Sequence, residues 1–250
     1  FCGEALNAVQ IAQIGQYAEN VFFDKPCGLM DQLASSVGGI TAIDFQDPQA
    51  PAVDKLDCSP SDFGYSLCII DSGADHADLT DEYASIPREM GAVAAFFHKD
   101  VLRQVDFEKF WRQIPAIRKT AGDRAVLRAL HFFADNELVP LQEEKLRAGD
   151  FEGFLALVEQ SGHSSSECLQ NLYCCSRPEA QAVPLTIAAA RRLLNGRGAV
   201  RVHGGGFAGT VQAYVPFGQE EVFRKGMEDI LGEGRCHFLN IRPGGGSVIA

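Results

Sequence analysis

The sequence lacks several features that would each place it in a class of protein. It has no apolar run long enough to cross a membrane and no recognisable signal peptide, so we expect a cytoplasmic protein. It has no surplus of positive charge: the net charge is −11, whereas a nucleic-acid-binding surface usually needs a strong basic patch. A nucleotide remains a possible ligand, because backbone N–H groups and a metal ion hold phosphates without net basic charge.

The cysteines do not form a metal-binding pattern. None of the 8 forms a C-x-x-C pair, and none has a histidine at zinc-finger spacing. We therefore interpret them as small buried hydrophobic residues of a protein in a reducing compartment.

The composition is that of an ordinary globular protein. The 250 residues are 46% hydrophobic and 22% charged, which is enough apolar material for a core. The chain opens on Phe1 instead of Met, so we expect an upstream segment to be missing. Three prolines between residues 48 and 61 indicate a boundary, and we expect domains over 1–60 and 61–250. The sequence does not specify the oligomeric state.

Hydrophobic periodicity predicts a mixed fold of class α+β, in which helices are inserted between separated strands. Pro26 favours the start of a helix that ends at Gly38. Further helices are predicted over 6–21, 79–99, 107–114, 123–136, 140–148, 151–161, 184–195 and 220–231. Strands are predicted over 40–45, 65–70, 199–202, 210–216 and 236–241.

Two carboxylates stand near the first helices. Asp31 is predicted in the first turn of its helix, where the helix dipole favours an ionised carboxylate that can take a proton from an acceptor hydroxyl. It can equally well only complement the dipole. Glu19 is predicted near a helix end, where the dipole disfavours a negative charge. That conflict suggests a Mg²⁺ ligand, although a solvated surface glutamate fits the same pattern.

A glycine loop and a tyrosine are the other candidates. Gly204, Gly205 and Gly206 lie between two predicted strands, where they allow either close approach of the backbone to a ligand or an ordinary hairpin turn. Tyr83 is predicted early in a helix and can pack against a sugar ring or cover the core. The histidines His76, His131 and His163 have no ligand-like spacing and are interpreted as structural.

Several segments, taken in order, resemble the galactokinases, sugar kinases of the GHMP superfamily. Residues 27–32, Cys-Gly-Leu-Met-Asp-Gln, resemble that family's C-G-[IL]-M-D-Q, and residues 16–20 resemble the preceding Q-x-A-E-N. Residues 203–209 resemble its G-G-G-F-G-G motif. Residues 72–83 are similar to its N-S-x-x-x-H…E-Y region, and residues 130–137 to its R-A-x-H…E-N-E run.

The resemblance implies a phosphotransferase that converts galactose and ATP into galactose 1-phosphate and ADP. It implies that Asp31 faces the C1 hydroxyl of the sugar and that Glu19 binds Mg²⁺. Gly28 and Tyr83 would contact galactose, and the triple glycine at 204–206 would line the nucleotide and sugar cleft. The implied fold is the remainder of a ribosomal-protein-S5-like lobe over 1–60, followed by a ferredoxin-like C-terminal lobe with extra helices over 61–250.

The sequence also departs from the family. Ala208 replaces one glycine of the third motif, and Asp71 stands where Asn is usual. The family's R-x-x-x-I-G-E-H sugar motif and G-L-S-S-S-A phosphate loop do not occur, so we expect the 250-residue chain to be inactive alone. Two alternatives stay open: a non-catalytic sensor of galactose and ATP, and a sibling kinase for N-acetylgalactosamine.

Overall fold

The computed structural model describes residues 6–24, 27–74 and 79–246, which form two compact units. The first unit contains the described residues up to Asp62 together with residues 240–246. The second unit is Phe63–Leu239. Residues 240–246 pack in the first unit because Gly39 N–H donates a 2.9 Å hydrogen bond to the Arg242 carbonyl. The interpretation of 1–60 and 61–250 as two kinase lobes stays a prediction.

The first unit has two α-helices and a two-stranded antiparallel sheet, namely α1 (Ala8–Tyr17), α2 (Met30–Val37), β1 (Ile40–Asp44) and β2 (Ala52–Leu56). Asn7 begins α1 with a reciprocal capping box, in which its side chain accepts from the Gln10 N–H. A π-helical turn, Ala18–Phe22, continues α1. Ala12, Leu29 and Leu33 form the buried cluster between the two helices.

The second unit contains a four-stranded antiparallel sheet in the order β4-β5-β3-β6. Its strands are β3 (Tyr65–Asp71), β4 (Ala199–Val202), β5 (Thr210–Pro216) and β6 (Cys236–Leu239). Its α-helices are α3 (Thr80–Phe96), α4 (Phe107–Thr120), α5 (Asp123–Arg147), α6 (Phe151–Ser164), α7 (Ala182–Leu194) and α8 (Glu220–Leu231).

Helices cover both faces of this sheet. The alternating residues Val211, Ala213 and Val215 of β5 are fully buried in the cluster that includes α7 and α8. Tyr214 points to the opposite face, where its ring packs against Phe154 of α6 with centroids 5.7 Å apart. Burial raises the pKa of Tyr214 to about 12. The period of two predicted for residues 210–216 is confirmed. The face with Thr210, Gln212 and Tyr214 is partly or fully buried as well.

A buried ion pair joins α3 to α5. The side chain of Arg128 is fully buried and lies 2.9 Å from Glu89. It also donates to the Ser85 hydroxyl at 2.8 Å and to the Leu169 carbonyl at 3.2 Å. Because every one of these partners is on a different turn or element, Arg128 ties α3, α5 and the turn after α6 together.

The class α+β is confirmed, whereas several element bounds differ from the predictions. Residues 123–147 form one helix with Pro140 inside it, so the predicted break before Pro140 is wrong. β2 lies within the proline-containing stretch that was predicted as a boundary. α2 begins at Met30; Pro26, where its start was predicted, lies outside the described residues. Within the described ranges, no helix is both long and apolar enough to cross a membrane.

Candidate functional site

The glycine loop is a hairpin between the antiparallel strands β4 and β5. His203 N–H donates to the Thr210 carbonyl at 3.0 Å and closes it. Gly204 and Gly206 have φ of +69° and +79°, values that strongly favour glycine. A Cβ at Gly204 would meet open space, whereas a Cβ at Gly206 would lie 2.1 Å from the Asn171 carbonyl oxygen. The hairpin therefore needs Gly206 for space as well as for conformation.

The same hairpin offers unused hydrogen-bond donors. Within the described residues, the backbone N–H groups of Gly204, Gly205 and Gly206 donate no hydrogen bond. Gly204 and Gly205 are exposed, and Gly206 is buried beneath them. Gly204 and Gly206 have positive φ and Gly205 between them does not, an alternation typical of backbone concavities that bind anions. The arrangement suits an anionic or hydroxylic ligand.

Tyr83, in the first turn of α3, lies under this hairpin. Its hydroxyl donates to the Gly206 carbonyl at 2.8 Å, and its ring meets the Phe207 ring edge-on at 5.3 Å. The side chain is partly buried, and burial raises the pKa of the Tyr83 hydroxyl. Tyr83 thus supports the hairpin in this structure, and contact with a sugar stays a prediction.

Asn171 is a site residue that sequence reasoning missed. It is 2% exposed, and its Nδ2 donates to the Gly205 carbonyl at 3.1 Å. It belongs to no element with a periodic pattern, because it follows the π-helical turn Ser165–Leu169. Its only local signal is a polar residue beside an apolar one in an otherwise irregular segment, which is too common to single it out.

A cavity of about 610 Å³ opens beside the hairpin within the second unit. Its wall includes Gly73 and Ala74 after β3, Cys174 and Arg177 before α7, and Phe207 of the hairpin. This volume is in the range of small-molecule sites. His76, from the predicted N-S-x-x-x-H region, lies outside the described residues.

Asp31 lies in the first turn of α2, as predicted, and is exposed. Leu29 precedes the helix and provides no side-chain cap. Within the described part of the chain, the Asp31 carboxylate makes no hydrogen bond or ion pair. The carboxylate is therefore available to an external hydroxyl.

The Q-x-A-E-N residues fix the segment that leads into α2. Gln16 Nε2 donates to the Cys27 carbonyl at 3.2 Å, and Asn20 Oδ1 accepts from the Cys27 N–H at 2.8 Å. Glu19 lies in the π-helical turn, and its Oε1 accepts from Gln32 Nε2 at 3.2 Å. Gly28 is exposed, and a Cβ there would meet nothing within 4 Å.

The residues around Glu19 fit a magnesium ion only with help from a ligand. Across residues 6–24, 27–74 and 79–246, no group of three or more His, Cys, Asp or Glu side chains could hold a metal. Mg²⁺, however, commonly takes one or two protein carboxylates and fills its remaining positions with water and substrate phosphates. A single carboxylate such as Glu19 fits this way of binding Mg²⁺, but it could not belong to a site in which protein side chains supply every ligand.

His131 and His163 lie on different helices and have structural partners. His131 is buried, with Nδ1 2.8 Å from the Ser164 hydroxyl and Nε2 3.7 Å from Asp135. Burial lowers the pKa of His131. His163 pairs along its own helix with Glu159 at 4.0 Å.

Galactokinases are similar in sequence to this chain over about nine tenths of its length. A galactokinase of Actinobacillus pleuropneumoniae serotype 5b (strain L20) is 31% identical over 231 residues, covering 90% of this chain and 56% of that protein. A galactokinase of Glaesserella parasuis serovar 5 (strain SH0165) is 31% identical over 222 residues, covering 88% and 54%. The chain therefore spans about half the length of these relatives. No family model matches it.

Solved structures share its fold. Lactococcus lactis galactokinase complexed with galactose superposes with a TM-score of 0.72 at 20% identity, covering 98% of this chain and 62% of that one. L. major mevalonate kinase in complex with R-mevalonate gives 0.60 at 13% identity, covering 96% and 60%. The resemblance inferred from the motifs is confirmed: this chain is similar in sequence to galactokinases over about half of their length, and it shares the fold of a solved galactokinase.

Proposed function

We propose that the protein carrying this chain transfers the γ-phosphoryl group of ATP to the C1 hydroxyl of galactose, and that it does so in the cytoplasm. The observation that carries the proposal is Asp31, an exposed carboxylate that makes no hydrogen bond or ion pair with the described residues. It lies in the Cys27–Gln32 motif of a chain that is 31% identical to a galactokinase over 231 residues. A surface carboxylate that served only the helix would not need that motif around it.

Asp31 acts on the sugar hydroxyl. Its carboxylate accepts, or orients, the proton of the C1 hydroxyl while that oxygen attacks the γ-phosphorus and the bond to the β-phosphate oxygen breaks. The products are galactose 1-phosphate and ADP. The position of Asp31 in the first turn of α2 suits this role, because free N–H groups there favour negative charge.

The other residues bind. Gly28 and Tyr83 contact galactose, and Gly204, Gly205 and Gly206 contact the nucleotide and the sugar through their backbone. The N–H groups of these three glycines donate no hydrogen bond to any residue that the structure describes, which supports this role, since such groups hold anionic oxygens without a charged side chain. The exposed face of Gly28 leaves room for a sugar ring to approach the backbone.

Glu19 binds Mg²⁺ together with the nucleotide phosphates. When bound, the ion neutralises phosphate charge and orients the γ-phosphoryl group. Gln32 holds Glu19 from one side through its 3.2 Å hydrogen bond, so the carboxylate is oriented before the ion arrives.

The test is formation of galactose 1-phosphate from ATP and galactose in the presence of Mg²⁺, with N-acetylgalactosamine as the comparison sugar. We expect turnover with galactose by the complete protein, and none by the 250-residue chain alone. Binding of both ligands without turnover by the complete protein would identify a sensor and refute the proposal. Turnover with N-acetylgalactosamine only would refute the choice of sugar.

A further inference from the structure

We propose that Asn171 is a positioning residue, which holds the glycine hairpin 204–206 in the one conformation that presents its N–H groups to substrate. The inference rests on the proposed function in so far as the hairpin contacts a substrate. The mechanical part, that Asn171 fixes the hairpin, stands on the contacts within the second unit alone.

The chain delivers Asn171 to the hairpin by an unusual turn. After α6, the π-helical turn Ser165–Leu169 ends at Gln170, which has left-handed φ of 58° and ψ of 48°. The Gln170 N–H closes this turn by donating to the Ser165 carbonyl at 2.8 Å. The reversal places Asn171 inside the protein, 2% exposed, although its amide is polar. A buried amide is expensive unless it makes hydrogen bonds, so its contacts identify its purpose.

Asn171 and Tyr83 hold consecutive hairpin residues. The Asn171 side chain donates to the Gly205 carbonyl at 3.1 Å, and its main-chain carbonyl accepts from the Phe207 N–H. Between them, the Gly206 carbonyl accepts from the Tyr83 hydroxyl at 2.8 Å. These bonds occupy two carbonyls and one N–H of the hairpin, and within the described residues the N–H groups of the three glycines donate no hydrogen bond.

The hairpin needs this support because its conformation is strained. Phe207 has φ of +58°, a region that non-glycine residues avoid. Such strain persists only where the surroundings hold it. The Phe207 ring is buried, 5% exposed, against Tyr83, and its N–H is held by Asn171. Loss of the hydrogen bond from the Asn171 side-chain amide to the Gly205 carbonyl would let the hairpin relax.

The amide of Asn171 is specifically required. Its Oδ1 is buried and has no hydrogen-bond partner among residues 6–24, 27–74 and 79–246, so half of the side chain's hydrogen-bonding capacity is left unused at a cost. The donor half is the part that holds Gly205. A carboxylate of the same size would place an acceptor against the Gly205 carbonyl, which is also an acceptor, and would lose the contact.

The experiment compares Asn171→Asp and Asn171→Ala with Thr186→Val in the protein carrying this chain. Thr186 is fully buried, and its hydroxyl donates to the Ala182 carbonyl at 2.8 Å within α7, so the control also removes one buried hydrogen bond. Hydrogen exchange resolved to segment 203–209 reports on the hairpin, because the Phe207 and Ala208 amides are both hydrogen-bonded there. Steady-state kinetics with ATP and galactose reports on function.

We expect both Asn171 variants to speed exchange of this segment at least tenfold relative to the strands of the sheet, and to lower kcat/KM at least tenfold. Thr186→Val should change neither. Hairpin exchange that is unchanged, or that rises only in proportion to the whole second unit, would overturn the inference. If the wild-type protein shows no turnover while the exchange pattern is as expected, the proposed function fails and the positioning role of Asn171 stands.

Discussion

Replacement of Gly206 by alanine tests the packing of the hairpin most sharply. Both Gly206 and Gly218 have left-handed φ, +79° and +82°, so alanine at either pays a backbone cost of about 1–2 kcal/mol. At Gly218 the new methyl group meets nothing within 4 Å. At Gly206 it would lie 2.1 Å from the Asn171 carbonyl oxygen, a backbone atom that cannot rotate away. Overpacking of this kind adds about 1–3 kcal/mol.

Gly206→Ala should therefore lower the free energy of unfolding by about 2–5 kcal/mol, and Gly218→Ala by about 1–2 kcal/mol. Domains of this size lose about 2–4 °C of Tm per kcal/mol, so the two variants should differ by several degrees. Thermal and urea unfolding of both variants beside the wild type measure the difference. Equal losses of stability at the two positions would refute the close contact between Gly206 and Asn171.

Two further predictions concern the second unit. Arg128→Met should lower Tm by about 6–12 °C, because removal of one partner of a buried ion pair costs about 3 kcal/mol or more. The control Arg118→Met, at an exposed ion pair, should leave Tm unchanged. Equal effects of the two substitutions in thermal unfolding would contradict the burial of Arg128. Because burial lowers the pKa of His131, the unfolded state binds more protons than the folded state near the ordinary histidine pKa of about 6.5. Stability should therefore fall as pH drops from about 7 to 5, and this fall should be smaller in His131→Gln when Tm is measured across the range.

Regular elements could be predicted from the sequence where one physical signal dominated. The strand β5 and the helix α8, observed at Glu220–Leu231, were both found because apolar residues recur at the spacing of a strand in β5 and at that of a helix in α8. The helix break predicted before Pro140 was wrong, because the tertiary packing of the 25-residue helix α5 tolerates the loss of one backbone N–H hydrogen bond at the proline. β2 was missed because most of its residues are exposed, so its sequence shows no clear alternation of apolar and polar residues.

The site was only partly predictable, for a related reason. Asp31, Glu19 and the glycines stand in contiguous motifs, so local sequence pointed to them. Asn171 acts on the hairpin from 34 residues away in sequence, and no local pattern encodes a contact of that range. The support that Tyr83 gives to Gly206 is equally non-local, with a separation of 123 residues.

The most direct test of the account is Asp31→Asn in the protein carrying this chain. The substitution keeps the size of the side chain and removes its ability to accept a proton, so kcat for galactose 1-phosphate formation should fall by a factor on the order of 10²–10⁴. The dissociation constant of galactose should change little, because the proton moves only as the phosphoryl group is transferred. A kcat equal to that of the wild type would contradict the central role assigned to Asp31.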